Sequence, residues 1–206
     1  MNIREEVAAA VKETGRSCGT CNMCCKLPPV PEINKPELVW CKHCRPGMAE
    51  GCAIYASRPQ VCADFACNWL MDLGFGDEWF PQRSKIVIRG TDEGGSATLQ
   101  FMVDPSVSHR WREEPYYSTI KLAAFNGINL PGKSQYRTCV QVTSTRAAYL
   151  ILPQKDLETH EGQIIITFNR DGTPWGWDAK LFATMQQAQR FHAELEHERA
   201  GLASAS

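Results

Sequence analysis

The chain has 206 residues, 43% of them hydrophobic and 22% charged, an ordinary globular composition that at about 100 to 200 residues per domain means one domain or two small ones. It excludes a coiled coil, a collagen-like chain and a disordered tail. Lys plus Arg (22) against Asp plus Glu (23) leaves a formal charge of -1, so no global cationic field draws in nucleic acid or an anionic membrane.

In chain order, Ile3, Val7, Ala10 and Val11 recur at helical spacing, with Glu5 and Glu6 in the first turn and Gly15 placed to end the helix. The same N-terminus has acids where a signal peptide has a basic segment, and no run approaches the roughly 18 to 20 apolar residues of a membrane span. A cytoplasmic protein is expected, with no membrane association. From Arg16 to Ala56 there is little periodicity and a succession of breakers, Gly19, Pro28, Pro29, Pro31, Pro36, Pro46, Gly47 and Gly51. Burial alone would hardly order such a stretch, and metal coordination is the natural substitute. Ser57 and Gln60 read as a capping box that opens a helix running through Phe65 toward Leu70.

Beyond Gly76 the sequence becomes β-rich, with runs at Lys85–Arg89, Thr98–Val103, Thr138–Val142, Ala147–Leu152 and Gln163–Phe168, and a turn at Asp171-Gly172. Helices are expected from Pro115 to Phe125, ended by Asn126-Gly127, and from about Phe182 to Arg199 with Phe182, Met185, Phe191 and Leu195 facing a core. The expected fold is α+β. Residues 1–76 form a cysteine-cluster, metal-stabilised region, packed on a small mixed body, residues 77–206, with an antiparallel sheet and a C-terminal helix.

Nine of the ten cysteines, Cys18, Cys21, Cys24, Cys25, Cys41, Cys44, Cys52, Cys62 and Cys67, fall between positions 18 and 67, with only Cys139 outside. A reducing cytosol argues against a disulfide framework and for metal or redox chemistry. A C-x2-C spacing lets one tight turn point both sulfurs at an ion, as in zinc knuckles and iron–sulfur loops. Here it occurs as Cys18–Cys21, Cys21–Cys24 and Cys41–Cys44. Adjacent residues point in different directions, so Cys24 and Cys25 serve different ions or one of them bridges. With four ligands per tetrahedral zinc or cubane cluster, nine sulfurs fill two sites and leave one spare. Cys62 and Cys67 would stand roughly 140° apart on a continuous helix, so a break near Ala66 is expected.

The runs CGTCNMCCK, WCKHC and GCAIYASRPQVCADFACNWL resemble the YkgJ-like cysteine-cluster family of zinc- or iron-chelating proteins with a CxxCxxCC signature. That resemblance covers residues 18–70. It implies eight recurring cysteines at Cys18, Cys21, Cys24, Cys25, Cys41, Cys52, Cys62 and Cys67, with Ile54-Tyr55 and Arg58-Pro59 between them, and makes Cys44 the extra one. A similar cluster accompanies flagellin lysine methylation in some relatives. An iron–sulfur enzyme with redox or methyltransferase-like group transfer is therefore the alternative to a zinc- or iron-binding protein with two thiolate-rich sites.

Around the cluster, His43 is a nitrogen ligand or a loop residue. Arg58, expected in a helix's first turn where the dipole disfavours a cation, points to a nearby anion or is a surface residue. Tyr55 is expected to pack with Ile54 and Trp69 over the sites, and Cys139 to be a core thiol. His109 lies in a charged, aromatic loop that could contact a protein partner, His192 and His197 share no helix face, and Trp175 and Trp177 read as caps on the core of the body. No Walker loop, Rossmann fingerprint, nucleophile elbow or HExxH motif is present, so the sequence names no substrate.

Overall fold

The computed structural model describes residues 3–48, 51–93, 96–129, 136–142 and 147–203. The first helix, α1 (Ile3–Thr14), places Glu5 and Glu6 in its first turn and ends at Gly15 with φ 65°, the left-handed conformation that glycine adopts without strain. The cysteine-bearing stretch that follows is built of short 3-10 turns and two isolated bridges, Val30 with Lys35 and Cys44 with Cys52. Two short helices close it, α2 (Gln60–Asp64) and α3 (Asn68–Met71). The expected break between Cys62 and Cys67 falls at 65–67, where Phe65 (ψ 122°) and Cys67 (ψ 153°) are extended.

The body is α+β. After α4 (Pro81–Ser84) come β1 (Ile86–Glu93), β2 (Ser96–Val103), α5 (Tyr116–Asn129), β3 (Arg137–Val142), β4 (Ala147–Ile151) and β5 (Asp156–Thr159). A hairpin of β6 (Ile164–Asn169) and β7 (Trp177–Phe182) precedes the C-terminal helix α6 (Met185–Ala203). The main sheet has the order β1-β2-β3-β4-β5, antiparallel throughout except for a parallel β2–β3 pairing. That one parallel step follows from α5, because two parallel neighbours need a crossover that carries the chain back along the sheet. No helix among the described residues is long and apolar enough to cross a membrane.

Strands β1 and β2 are apolar on both faces at 86–88 and 101–103. Ile86 and Ile88 on β1 and Phe101 and Val103 on β2 face one way, into the main core with Trp79, Trp111, Tyr116, Ile120, Val140 and Ile151. Trp79 stacks edge-on against Tyr116 at 4.9 Å and lies 5.6 Å from Phe101. The alternate residues Val87 and Met102 face the other way and are covered by Met23 and Leu27 of the cysteine-bearing stretch. A third cluster, Ile128, Leu150, Leu152 and Ala179, fastens the β6–β7 hairpin to the body.

Several local expectations change. The Ser57–Gln60 capping box is not made: Pro59 precedes α2, and Gln60 Nε2 donates to Asp64 Oδ1 at 2.8 Å. The box forms at α6 instead, where Thr184 N–H donates to Gln187 Oε1 and Gln187 N–H to Thr184 Oγ1, both at 3.3 Å. Phe182 consequently ends β7 and does not open the helix, and Met185 is exposed while Ala188 is buried. Helix α5 runs through Asn126-Gly127 to Asn129. Gly127 is there for close approach, since a Cβ on it would lie 2.3 Å from the Tyr136 ring. Cys139 is half-buried, because its neighbour Val140 takes the inward position on β3. Strands β5 and β7 lie outside the expected runs, although Trp177, Ala179 and Leu181 alternate with Asp178 and Lys180 along β7.

Phe101, fully buried at the centre of the β1–β2 pair, is the sharpest test of this core. Phe101→Ala is expected to cost about 3 to 5 kcal/mol of stability, read as a lowered midpoint in denaturant titration with an unchanged slope.

Candidate metal centre

The motif Cys21-Asn-Met-Cys-Cys-Lys-Leu27 lies on the outer face of β1–β2, and its burial pattern decides which way each sulfur points. Met23 and Leu27 drive into the sheet, and the 3-10 turn Met23–Cys25 that allows this is closed by Cys25 N–H to Asn22 C=O at 2.9 Å and Lys26 N–H to Met23 C=O at 3.0 Å. Buried Asn22 accepts the Gly47 N–H through Oδ1 at 3.0 Å and ties the 39–52 loop back to the motif. Lys26 reaches across to Asp104, at the end of β2, with Nζ 2.6 Å from Oδ2. Cys21, Cys24 and Cys25 are left half-buried between these anchors.

Backbone bonds bring the remaining cysteines to this motif. Cys21 N–H donates to Cys18 C=O at 2.8 Å, closing the first C-x2-C turn. Cys41 N–H donates to Cys25 C=O and Cys44 N–H to Cys41 C=O, both at 2.9 Å. Cys44 and Cys52 face each other across an antiparallel bridge, next to an Ala53 N–H bond to His43 C=O at 2.8 Å. Cys62 comes from α2, and Cys67 caps α3 and packs with Cys21 against Met23, Leu27, Val87 and Met102. Arg16 secures this end: Nη1 donates to Trp69 C=O at 2.5 Å and Asp72 C=O at 2.9 Å, Nη2 to Phe75 C=O at 2.7 Å, and the guanidinium lies 4.7 Å from the Trp69 ring centre.

The thiols sense one another. The Cys24 thiol keeps its proton because it donates that proton to Cys25, and burial with the charges of Cys25, Cys18 and Cys21 adds to the effect. Cys25 is correspondingly pulled down to about 6, since hydrogen bonds from Cys24 and Cys44 and the Lys35 charge outweigh its burial. Burial, with the charges of Cys25, Cys41 and Cys52, pushes Cys44 up to about 12. Cys67 is pushed up to about 11 by burial, with Cys18 and Cys21 contributing. Cys62 is raised by burial and by Cys25, Cys41 and Cys52.

Lys35, which nothing in the sequence singled out, is only 6% exposed, and its Nζ donates to the carbonyls of Lys26 (2.8 Å), Pro28 (2.5 Å) and Pro36 (3.0 Å). Burial lowers its pKa, and the charges of Cys41, Cys25, Cys24 and Cys62 act against that. Arg58 precedes α2 and so is not in its first turn; the guanidinium lies 3.7 Å from the Tyr55 ring centre, and its buried Nε has no partner among the described residues. Tyr55 is thus an exposed platform for Arg58, not a lid packed with Trp69. His43 is half-buried in the Cys41–Cys44 turn.

The other sequence candidates lie elsewhere. His109 is exposed and pairs with Glu113 at 3.1 Å, while Trp111 beside it is core. His192 and His197 are exposed on α6. Trp175 is 4.4 Å from Phe125, and Trp177 Nε1 donates to Asn129 Oδ1 at 2.9 Å.

None of the described cysteines is in a disulfide. No group of three or more His, Cys, Asp or Glu side chains among the described residues stands ready-made to hold an ion. By donor type, nine sulfurs in one stretch beside the buried ammonium of Lys35, the set suits a thiol-seeking ion. No protein-family model, curated protein or solved structure matches the chain.

The Lys26–Asp104 pair is the polar anchor of the motif, and it carries a pH signature. Burial alone would raise the Asp104 carboxyl, but Lys26 and two hydrogen bonds from Ser106 outweigh it and hold the group below its usual value. A depressed folded-state pKa contributes stability that is complete above the unfolded value of about 3.9 and disappears as pH falls through the folded value. Asp104→Asn is expected to cost about 1.5 to 3 kcal/mol at neutral pH and to flatten the loss of stability below pH ~4, both measurable by denaturant titration across pH.

Proposed function

We propose that this is a zinc- or iron-binding cysteine-cluster protein of the YkgJ-like kind, acting in the cytoplasm, whose N-terminal region holds two thiolate-rich metal sites. The observation that carries this reading is the placement of nine thiols within residues 18–67, with Cys18 bonded to Cys21, and Cys25, Cys41, Cys44 and Cys52 linked in turn, through the backbone. Ionised thiols repel one another, so a cluster of them is costly without a cation. Here they are kept together beside buried Lys35, an arrangement that makes sense when a cation neutralises them.

A four-sulfur zinc site has no coordination position left for substrate, which favours binding and scaffolding over turnover. The alternative is an iron–sulfur centre with redox or group-transfer chemistry. Sulfur-only donors serve both zinc and iron–sulfur clusters, so metal content separates them.

Protein purified without oxygen and without a metal-affinity step is expected to carry two zinc or iron ions per chain, and Cys21→Ser to carry fewer, by elemental analysis. Zinc with no visible absorbance supports the binding reading, and iron with acid-labile sulfide supports the enzyme reading. Protein that takes up neither metal overturns both.

A further inference from the structure

We propose that Cys44 and Cys52 are a redox-sensitive modification site, at which a hydroperoxide converts two facing thiols reversibly into a cross-strand disulfide. The inference needs no bound ion and stands apart from the metal-binding reading.

The pairing of the backbone carries it. Arg45 N–H donates to Gly51 C=O at 2.6 Å, and Ala53 N–H donates to His43 C=O at 2.8 Å. These two bonds flank the antiparallel Cys44–Cys52 bridge, and neither uses an N–H or C=O of the cysteines themselves. Cys44 and Cys52 are therefore a non-hydrogen-bonded pair, in which the Cα atoms stand about 4.5 Å apart and the side chains leave on the same face. A disulfide spans Cα atoms about 4.4 to 6.8 Å apart, so this one closes with both strands where they are. Cys52 also lies within electrostatic reach of Cys44.

The nearby thiols are placed differently. Cys24 and Cys25 are joined by a trans peptide, which fixes their Cα atoms about 3.8 Å apart, short of that range. Cys25 accepts a side-chain hydrogen bond from Cys44, but its backbone is bonded to Cys41. Only Cys44 and Cys52 are held opposite each other by backbone bonds on both sides. Both thiols are half-buried, and Met48 and Tyr55 beside them are exposed, which leaves a small oxidant a way in from solvent.

In the reaction one thiolate attacks the outer oxygen of ROOH, the O–O bond breaks, and the alkoxide leaves with a proton as ROH. The resulting sulfenic acid is attacked by the facing sulfur; the S–S bond forms, and the hydroxyl leaves as water with that thiol's proton. Two thiols have lost two electrons, and the hydroperoxide has taken them. A dithiol reverses the bond by exchange. In a reducing compartment such a bond is transient and sensing rather than structural, and while closed it removes two of the nine clustered thiols.

The test uses the full chain, purified without oxygen, with metal content measured on the same sample and a small excess of hydrogen peroxide as the oxidant. The reaction is quenched in acid, and free thiols are capped with N-ethylmaleimide in denaturant. Cleavage after Lys42 and Glu50 then puts Cys41, Cys44 and Cys52 in three separate peptides, and tandem mass spectrometry assigns the bond. Cys44 joined to Cys52 is expected as the main crosslink, reversed by dithiothreitol, lost in Cys44→Ser and Cys52→Ser and kept in Cys139→Ser. A main crosslink between any other pair, or oxidation that leaves Cys44 and Cys52 both capped as free thiols, overturns the proposal; the wild-type crosslink decides it even where a variant does not fold. A chain that carries no metal overturns the metal-binding reading and still answers this test.

Discussion

Strands β1 and β2 are buried on both faces at 86–88 and 101–103, and the stretch that covers their second side there is the cysteine-bearing one. Val87 and Met102 would otherwise be two exposed apolar side chains at the edge of a sheet; Met23 and Leu27 remove them from water and become buried themselves. Burying a side chain of this size is worth about 1.5 to 3 kcal/mol, and four such side chains meet here. The Pro- and Gly-rich stretch has no periodic face of its own, yet this small contact orients the turn from which Cys21, Cys24 and Cys25 project. Whatever the sulfurs do, their starting positions are set by a hydrophobic contact made between them.

The ionic contacts answer a different need. Lys26 meets Asp104 at the edge of that contact, and Lys35 is enclosed by three carbonyls a few residues away. An interior ammonium is costly unless its hydrogen bonds are made and an opposing charge is close. Lys35 has the hydrogen bonds, and Cys25, whose thiol is pulled down to about 6, supplies an opposing charge. The same cation lowers the repulsion among sulfurs that four-sulfur ligation would otherwise intensify. Arg58, stacked on exposed Tyr55, is a second, half-buried cation in the stretch between Cys52 and Cys62.

Where local chemistry decided the outcome, the sequence could be read directly. Glu5, Glu6 and Gly15 bounded α1, the five-residue interval between Cys62 and Cys67 demanded a break, and the alternation of apolar residues located five strands. Where tertiary contacts decided it, the sequence misled. Asn126-Gly127 looks like a helix stop but serves the approach of Tyr136. The short, polar strand β5 is held by its pairing with β4 and not by its own composition. At the candidate site, spacing identified the nine thiols but said nothing of the contacts that gather them. Lys35 stands among prolines in no motif, and Asp104 lies 78 residues from Lys26, a separation no motif bridges.

The order of the chain makes that covering contact a matter of timing. A ribosome delivers residues 18–67 before any of β1 or β2, so the sulfurs and the apolar side chains among them are made first and sheltered last. During that interval Met23 and Leu27 have no sheet to lie on, and the nascent chain exposes reactive thiols beside unpartnered apolar surface. An ion captured then would gather the thiols before the sheet exists; captured later, it must find them already arranged by the sheet.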